Sequence, residues 1–155
     1  MLTVLCGLPA SGKTTWRLAN GADTTVVCLD EVREELTGDA ARQDFNESVM
    51  MVARGRARDA LEEERDVIID ATGLTREHRA TWLDLAEGAD CSTRCIYFPV
   101  SIEEALERNA ARDRQVPEDA IRRMAGRLEK PAFGEGFDEV LVLRDGRLEG
   151  LSGKA

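Results

Sequence analysis

Short apolar runs recur along the chain, and between them apolar residues return every three or four positions. A short continuous apolar run is typical of a parallel strand covered on both faces, whereas the wider spacing is typical of an amphipathic helix. The predicted strands are residues 2–6, 25–29, 67–70, 94–98 and 139–143. Because strands and helices alternate, we expect an α/β fold, a three-layer α/β/α sandwich with a parallel sheet of about five strands.

Helical spacing and start signals place the helices between these strands. The predicted helices cover residues 12–20, 43–64 and 76–87, and two more begin near Ser101 and Pro117. In the long helix, Phe45 falls on the apolar stripe. Ser101 and Glu104 have the spacing of a capping box. After the last strand, Asp145-Gly146 predicts a turn that leads into a small hairpin strand.

The chain has 155 residues, which suits one domain, 1–155, with a sizeable core. Its formal net charge of −9 argues against a protein that simply coats nucleic acid, but leaves room for a local basic site. Four cysteines and one histidine do not have the spacing of a zinc site or a disulfide framework. No apolar run approaches the roughly 18 residues of a membrane span, and the N-terminus lacks a signal-peptide pattern. We therefore expect a cytoplasmic protein with no membrane partner.

The first strand runs into GLPASGKT, residues 7–14, which has the G-x-x-x-x-G-K-[ST] spacing of a phosphate-binding loop. Its two glycines let the backbone approach a phosphate and turn N–H groups inward. The following helix adds its positive end, Lys13 adds a point charge, and Thr14 offers a hydroxyl to Mg²⁺. The alternative is a glycine-rich turn with an incidental lysine, but the flanking strand and helix favour a nucleoside triphosphate site. The candidate nucleotide-binding residues are Gly7, Ser11, Gly12, Lys13, Thr14 and Thr15.

A carboxylate follows the second predicted strand, beside the expected position of the terminal phosphate. Asp30 lies at the carboxyl end of that strand, and Arg33 is one helical turn further on if a helix begins there. A carboxylate at this place can accept the proton of an attacking hydroxyl, and an arginine on the same face can grip an anionic acceptor. The alternative, a helix-capping aspartate with a solvated arginine, stays open at this point.

The third predicted strand also ends in a carboxylate, Asp70. From its position it can bind Mg²⁺ through water, or orient Lys13, Thr14 or an arginine. The alternative is a structural carboxylate that accepts hydrogen bonds from backbone N–H groups. Arg76 and Arg79 follow in the next predicted helix and are candidates for the acceptor side of the site.

An arginine-rich stretch follows the fourth predicted strand. Arg108 and Arg112 are spaced to share one helix face, and a polar connection leads to a second helix with further arginines. The pattern predicts a helical lid that brings arginines to the phosphates and excludes water during phosphoryl transfer. An ordinary amphipathic helix with a Glu104–Arg108 salt bridge is the alternative.

In this order the motifs resemble the P-loop kinase domain of phage and bacterial 5′-hydroxyl polynucleotide kinases. The resemblance rests on GLPASGKTT, LDEVR, IIDATGLTREHRATW, RNAAR with VPEDAIRRM, and GFDEV, of which LDEVR and RNAAR are the most specific. It implies strand order 2-3-1-4-5, ATP and Mg²⁺ as cofactors, and nucleic acid 5′-OH ends as substrate. It also implies that Asp30 is the general base for the 5′-OH and that Arg33 contacts the acceptor's 3′-side phosphate.

The same resemblance implies roles for the remaining candidates. Lys13, Thr14 and Arg112 act on the donor phosphates and the transition state. Arg108 supports the lid, and Asp70 organises the acceptor side. Related small P-loop kinases, including zeta-toxin-like enzymes that act on sugar nucleotides, share much of this pattern. The acceptor therefore stays open between a polynucleotide end and a small molecule.

Three functions are compatible with the motifs to different degrees. The sequence favours a kinase that moves the γ-phosphate of ATP to the 5′-hydroxyl of DNA or RNA, and a small-molecule kinase is the alternative. A nucleotide-dependent switch or binding module is disfavoured, because the chain lacks an N-K-x-D guanine-reading motif and carries its own lid arginines. The stretch PAFGEGFDEV is interpreted as a connector, with contact to the donor base as the alternative.

Overall fold

The computed structural model describes residues 1–151, and its strands and helices alternate. The strands are β1 (Leu2–Cys6), β2 (Thr25–Cys28), β3 (Val67–Asp70), β4 (Thr93–Tyr97), β5 (Glu139–Arg144) and β6 (Arg147–Gly150). The helices are α1 (Lys13–Asn20), α2 (Leu29–Thr37), α3 (Asn46–Glu62), α4 (Arg76–Gly88), α5 (Ile102–Ala110) and α6 (Glu118–Arg127). A short 3₁₀ turn, Phe133–Glu135, precedes β5. None of the helices in the described part of the chain is long and apolar enough to span a bilayer.

The strands form a single sheet in the order β2-β3-β1-β4-β5-β6. Strands β1 to β5 are parallel, so the predicted fold class and the implied order 2-3-1-4-5 are confirmed. Strand β6 pairs antiparallel with β5 through Asp145 and Gly146, whose φ values are 47° and 74°. A two-residue hairpin turn needs such left-handed angles, so the predicted Asp-Gly turn and hairpin strand are confirmed. The loops after the parallel strands gather at one edge, where α/β sheets bind ligands.

Each face of the sheet has its own apolar core, because the side chains of β1 alternate between the faces. Val4 and Cys6 pack with buried residues of α3 and α4. Leu5 and Phe98 pack on the other face with Trp16 of α1, and the rings of Trp16 and Phe98 meet edge to face at 6.1 Å. Helices α1 and α3 therefore lie on opposite faces of the sheet, as a three-layer sandwich requires.

A third apolar cluster lies beneath α5 and α6, and we call it the lid cluster. Its buried members are Leu8, Leu74, Ala105 and Ile121. Ala105 belongs to α5 and Ile121 to α6, whereas Leu8 comes from the loop after β1 and Leu74 from the loop after β3. Each of these side chains is at most 4% exposed. The two lid helices are therefore packed directly on the loop that follows β1.

The predicted end of the second strand is wrong by one residue. Strand β2 ends at Cys28, and α2 begins immediately at Leu29. Asp30 consequently lies in the first turn of a helix instead of at the end of a strand. Asp30 and Glu31 are the acidic residues of that turn, where the positive end of the helix dipole stabilises negative charge.

The predicted start of the long helix is also wrong. Helix α3 begins at Asn46, and Phe45 precedes it with 39% exposure instead of lying on the apolar stripe. The chain uses residues 38–45 to turn between α2 and α3, beginning at Gly38 with a left-handed φ of 75°. Arg42 lies over the Phe45 ring at 4.6 Å, so a cation–π contact covers one side of that ring.

Candidate active site

The loop after β1 has the backbone geometry of a phosphate cradle. Ala10 and Gly12 adopt left-handed φ values of 62° and 100°, and Gly12 directly precedes the first turn of α1. The N–H of Gly7 donates to the Thr72 carbonyl at 2.9 Å, which ties the loop to the segment after β3. No side chain within residues 1–151 caps α1. The N–H groups of its first turn are therefore available to an anion.

Lys13 lies across the inside of this loop. Its Nζ donates to the carbonyl oxygens of Gly7 at 2.8 Å and Leu8 at 2.7 Å. Burial lowers the pKa of Lys13 to about 8, and the negative charges of Asp70 and Asp30 oppose that shift. The main-chain carbonyls thus hold the amine at the cradle, and both carboxylates lie within electrostatic reach of it.

The hydroxyl side chains of the loop have two different environments. Ser11 is buried, and its Oγ accepts a hydrogen bond from Lys13 Nζ at 3.4 Å. Thr14 and Thr15 are exposed in the first turn of α1. Ser11 therefore supports the lysine from inside the loop, whereas the two threonine hydroxyls are open to phosphate oxygens or a hydrated cation.

Asp30 is an exposed carboxylate held by a buried arginine. Arg33 Nη1 donates to Asp30 Oδ1 at 2.7 Å, and the Asp30 side chain is 71% exposed. The other donors of Arg33 reach the Ala40 carbonyl and Asn46 Oδ1, both at 3.2 Å. The alternative of a capping aspartate with a solvated arginine does not describe this pair, because no side chain of the described residues caps α2 and Arg33 is buried. The loop between α2 and α3 thus fixes the arginine, and the arginine fixes the carboxylate.

Asp70, at the end of β3, is buried beside an arginine that the sequence motifs do not single out. Arg17 Nε lies 2.7 Å from Asp70 Oδ2 without being aligned for a hydrogen bond, and Arg17 Nη2 donates to Glu31 at 2.6 Å. Burial raises the pKa of Asp70, and the positive charges of Arg17 and Lys13 oppose that shift. Arg17 could have been found from its spacing, because it lies one helical turn after Lys13 on α1.

The two predicted lid arginines have different positions. Arg112 lies beyond the end of α5 at Ala110, so the prediction that it shares a helix face with Arg108 is wrong. Its positive charge contributes to the lowered pKa of Lys13, as a smaller cause than burial. Arg108 is 50% exposed and forms an ion pair with Glu104 one turn earlier in α5. For Arg108 the structure thus shows the salt bridge of an ordinary amphipathic helix. The roles of both arginines at the phosphates stay predictions.

Arg79 is not available to a substrate, so its predicted role in acceptor binding is wrong. Its side chain is 0% exposed, and Nε and Nη2 donate to Glu135 at 2.6 and 2.5 Å. Its Nη1 donates to the Gly73 carbonyl at 2.7 Å. Arg76 is exposed, and its Nη2 donates to the Gly134 carbonyl at 2.7 Å. Both arginines therefore hold the connector before β5 against α4.

The groups at the cradle fit a Mg²⁺ ion that is held largely by phosphate oxygens and water. Within residues 1–151, no three His, Cys, Asp or Glu side chains gather into a metal site of their own. Mg²⁺ commonly retains several waters and takes only one or two protein groups in addition to substrate phosphates. The exposed Thr14 hydroxyl and the Asp70 carboxylate supply such groups at the same edge of the sheet.

Replacing Gly7 with alanine is expected to weaken nucleotide binding by about tenfold or more. A Cβ at this position would lie 2.7 Å from Ser11 Oγ and 3.0 Å from the Phe98 carbonyl, so the loop would have to shift. Gly55→Ala in α3 is the matched control, because its Cβ would meet nothing within 4 Å. Titration calorimetry with a non-hydrolysable ATP analogue compares the two variants. Equal affinities would show that this loop does not form the nucleotide site.

The family of the chain follows from comparison over most of its length. Residues 2–131 match the family model AAA_33, an AAA domain. The chain belongs to this family. With the cradle described above, the chain is a P-loop kinase-type domain, and the proteins to which it is similar include two kinases.

Two curated kinases are similar to this P-loop kinase in sequence. The bifunctional polynucleotide phosphatase/kinase of Schizosaccharomyces pombe is 31% identical over 144 residues, which cover 90% of this chain and 32% of that protein. The L-seryl-tRNA(Sec) kinase of Methanococcus maripaludis is 25% identical over 145 residues, which cover 89% of this chain and 56% of that protein. The chain therefore spans well under two thirds of either relative. The resemblance to polynucleotide kinases that the motifs indicate is confirmed.

A solved structure, that of the Pnkp1/Rnl/Hen1 RNA repair complex, has the same fold. Its similarity to this kinase has a TM-score of 0.66 at 24% sequence identity, and covers 82% of this chain and 43% of that chain. The similarity shows the fold alone. It agrees with the parallel sheet, and the acceptor has to be inferred from the residues around the cradle.

Proposed function

We propose that this P-loop kinase transfers the γ-phosphate of ATP to the 5′-hydroxyl end of DNA or RNA. The observation that carries the proposal is the Asp30–Arg33 pair, whose exposed carboxylate is held at 2.7 Å by a buried arginine. Asp30 follows β2 at the same edge of the parallel sheet as the cradle that follows β1, which is the side where the terminal phosphate would lie. The curated relative at 31% identity, a polynucleotide phosphatase/kinase, supports a polynucleotide acceptor.

In the proposed reaction Asp30 accepts the proton of the attacking 5′-hydroxyl as its oxygen bonds to the γ-phosphorus. The bond between that phosphorus and the β–γ bridging oxygen breaks in line, and ADP leaves. Lys13 and Arg112 stabilise the negative charge that develops on the phosphoryl oxygens. Mg²⁺, which Thr14 and, through water, Asp70 would hold, neutralises phosphate charge when it is bound.

Arg33 has two possible contributions to acceptor binding. In the structure its Nη1 and Nη2 groups donate to Asp30, Ala40 and Asn46, so it fixes the orientation of the proposed base, while its Nε has no partner among the described residues. Because Arg33 is buried, direct contact with a phosphate on the 3′ side of the acceptor requires its guanidinium to give up one of these partners. The hydrogen bond to Asn46 is the one that Arg33 would give up most easily, because it is made to a neutral side chain at 3.2 Å.

A small hydroxyl compound is the second candidate acceptor. The similarity to an L-seryl-tRNA(Sec) kinase, over 89% of this chain, indicates that an acceptor other than a polynucleotide 5′ end occurs among the relatives. Both acceptors use the same donor site and the same proton acceptor, Asp30. They differ in one group: a polynucleotide end carries a phosphate on the 3′ side of the attacking nucleoside, and a small alcohol does not. The proposed Arg33 contact would bind that phosphate.

An acceptor panel separates these functions. The protein is incubated with γ-labelled ATP and Mg²⁺, and with a 5′-OH oligonucleotide, a nucleoside 3′-monophosphate or small alcohols and sugars. We expect label in the oligonucleotide and in the 3′-monophosphate, and none in an oligonucleotide that already has a 5′-phosphate. Label only in a small alcohol would overturn the polynucleotide acceptor. Slow phosphate release with every acceptor would indicate a nucleotide-dependent switch.

A further inference from the structure

Asn109 is a buried polar residue at the end of α5 that the proposed reaction does not use. It is 3% exposed. Its Nδ2 donates to the Val116 carbonyl at 2.8 Å, and its Oδ1 accepts the Val116 N–H at 2.9 Å. The side-chain amide therefore pairs with both backbone groups of one residue, as a neighbouring strand would. This pairing closes residues 110–115 into a short loop.

The closed loop contains Arg112, the arginine whose charge acts on Lys13. Gln115 Nε2 donates to the Ala110 carbonyl at 3.0 Å, which adds a second hydrogen bond across the loop. Beyond the loop, the side chain of Val116 packs against the lid cluster, to which Leu8 of the phosphate cradle belongs. Both ends of the loop are therefore anchored.

We propose that Asn109 is a positioning residue that keeps the 110–115 loop closed, so that Arg112 is held over the phosphates before the nucleotide binds. The proposal rests on one part of the proposed function, the use of ATP as phosphate donor at the cradle. It does not depend on which acceptor receives the phosphate. Without the two Val116 hydrogen bonds, the loop residues regain backbone freedom that must be lost again each time Arg112 engages the phosphates. An Arg112 side chain that is no longer held in place before the reaction lowers kcat, because its ordering becomes part of the activation barrier.

The first test removes the two hydrogen bonds with Asn109→Ala and measures ATP hydrolysis and phosphoryl transfer. We expect kcat to fall by about ten- to a hundredfold, whereas the Kd of a non-hydrolysable ATP analogue changes much less. Asn109→Asp is the second variant, because it keeps the volume of the side chain and the acceptor for Val116 N–H while removing the donor. If the alanine variant does not fold, the aspartate variant provides the test, and its kcat is also expected to fall.

A double-mutant cycle with Arg112→Ala separates positioning from general stability. If Asn109 acts through Arg112, then removing Asn109 in the Arg112→Ala background changes kcat by less than about twofold. A full additional loss in that background would overturn the proposal. Because ATP hydrolysis to water is one readout, the cycle gives an answer even if the polynucleotide acceptor is wrong.

Limited trypsin digestion provides a readout that does not depend on activity. Cleavage after Arg112 and Arg114 reports on opening of the 110–115 loop, and cleavage after Arg54, in the middle of helix α3, is an internal reference for global unfolding. We expect Asn109→Ala to raise the ratio of the former to the latter by about tenfold. An unchanged ratio would overturn the proposal, and so would a raised ratio with wild-type kcat.

Discussion

Asp30→Asn is expected to lower the kcat of phosphoryl transfer by about 100- to 10,000-fold, the range that general-base catalysis usually contributes. The amide keeps the size of the side chain and can still accept a hydrogen bond from Arg33, but it cannot take up the proton of the attacking hydroxyl. ATP binding is expected to persist, because the loop carbonyls that hold Lys13 do not involve Asp30. Steady-state kinetics with the accepted substrate and calorimetry with an ATP analogue measure the two effects.

Glu35→Gln is the matched control for this substitution. Glu35 is also an α2 carboxylate, but it pairs with Arg56 on the protein surface at 2.5 Å. Removing its charge is expected to leave kcat and nucleotide affinity unchanged. Wild-type transfer by Asp30→Asn would remove Asp30 from the mechanism, whereas equal losses in both variants would point to a general effect of charge on α2.

Removing one partner of the Arg79–Glu135 pair is expected to destabilise the fold by about 3–5 kcal/mol. Arg79 is 0% exposed and the Glu135 side chain is 5% exposed, so either substitution leaves a buried charge without its partner. For a chain of this length, the loss corresponds to a decrease in Tm of about 10 °C. Thermal unfolding of Arg79→Met and Glu135→Gln, followed by circular dichroism, measures it.

The surface pair Arg56–Glu35 serves as the control for this effect. Its side chains are 47% and 54% exposed, and Arg56→Met is expected to cost less than about 1 kcal/mol. The double variant Arg79→Met/Glu135→Leu is expected to recover much of the lost stability, because it leaves no uncompensated charge in the core. A Tm for Arg79→Met that matched that of Arg56→Met would contradict the structural role assigned to the buried pair.

The phosphate cradle could be predicted from the sequence because its chemistry is local. Gly7 and Lys13 lie six residues apart, and their contact follows from the loop that joins them. Arg33 and Asp30 are one helical turn apart, so their pairing also follows from spacing once α2 is known to form. The sequence pattern did not show that Arg33 would be buried, because burial depends on how residues 38–45 fold over it.

The role of Arg79 could not be predicted, because its partner is distant along the chain. Glu135 lies 56 residues away, and the two meet only when the connector before β5 packs against α4. In the sequence, Arg79 resembles any arginine on the first turns of a helix near a phosphate site. Asn109 carries a weak local signal, since it is a polar residue one turn after the buried Ala105 on α5. Its backbone partner, however, depends on the path of the following loop.

The lid cluster limits how far α5 and α6 can move from the phosphate cradle. Because Leu8 of the cradle shares this cluster with α5 and α6, swinging those helices outward would expose apolar side chains to water. Keeping this cluster packed therefore favours one position of α5 and α6 relative to the phosphate cradle. Helix α2 is tied to the same site through the hydrogen bond from Arg17 to Glu31, so residues 38–45 are left as the neighbouring segment in which sequence changes would disturb the cradle least.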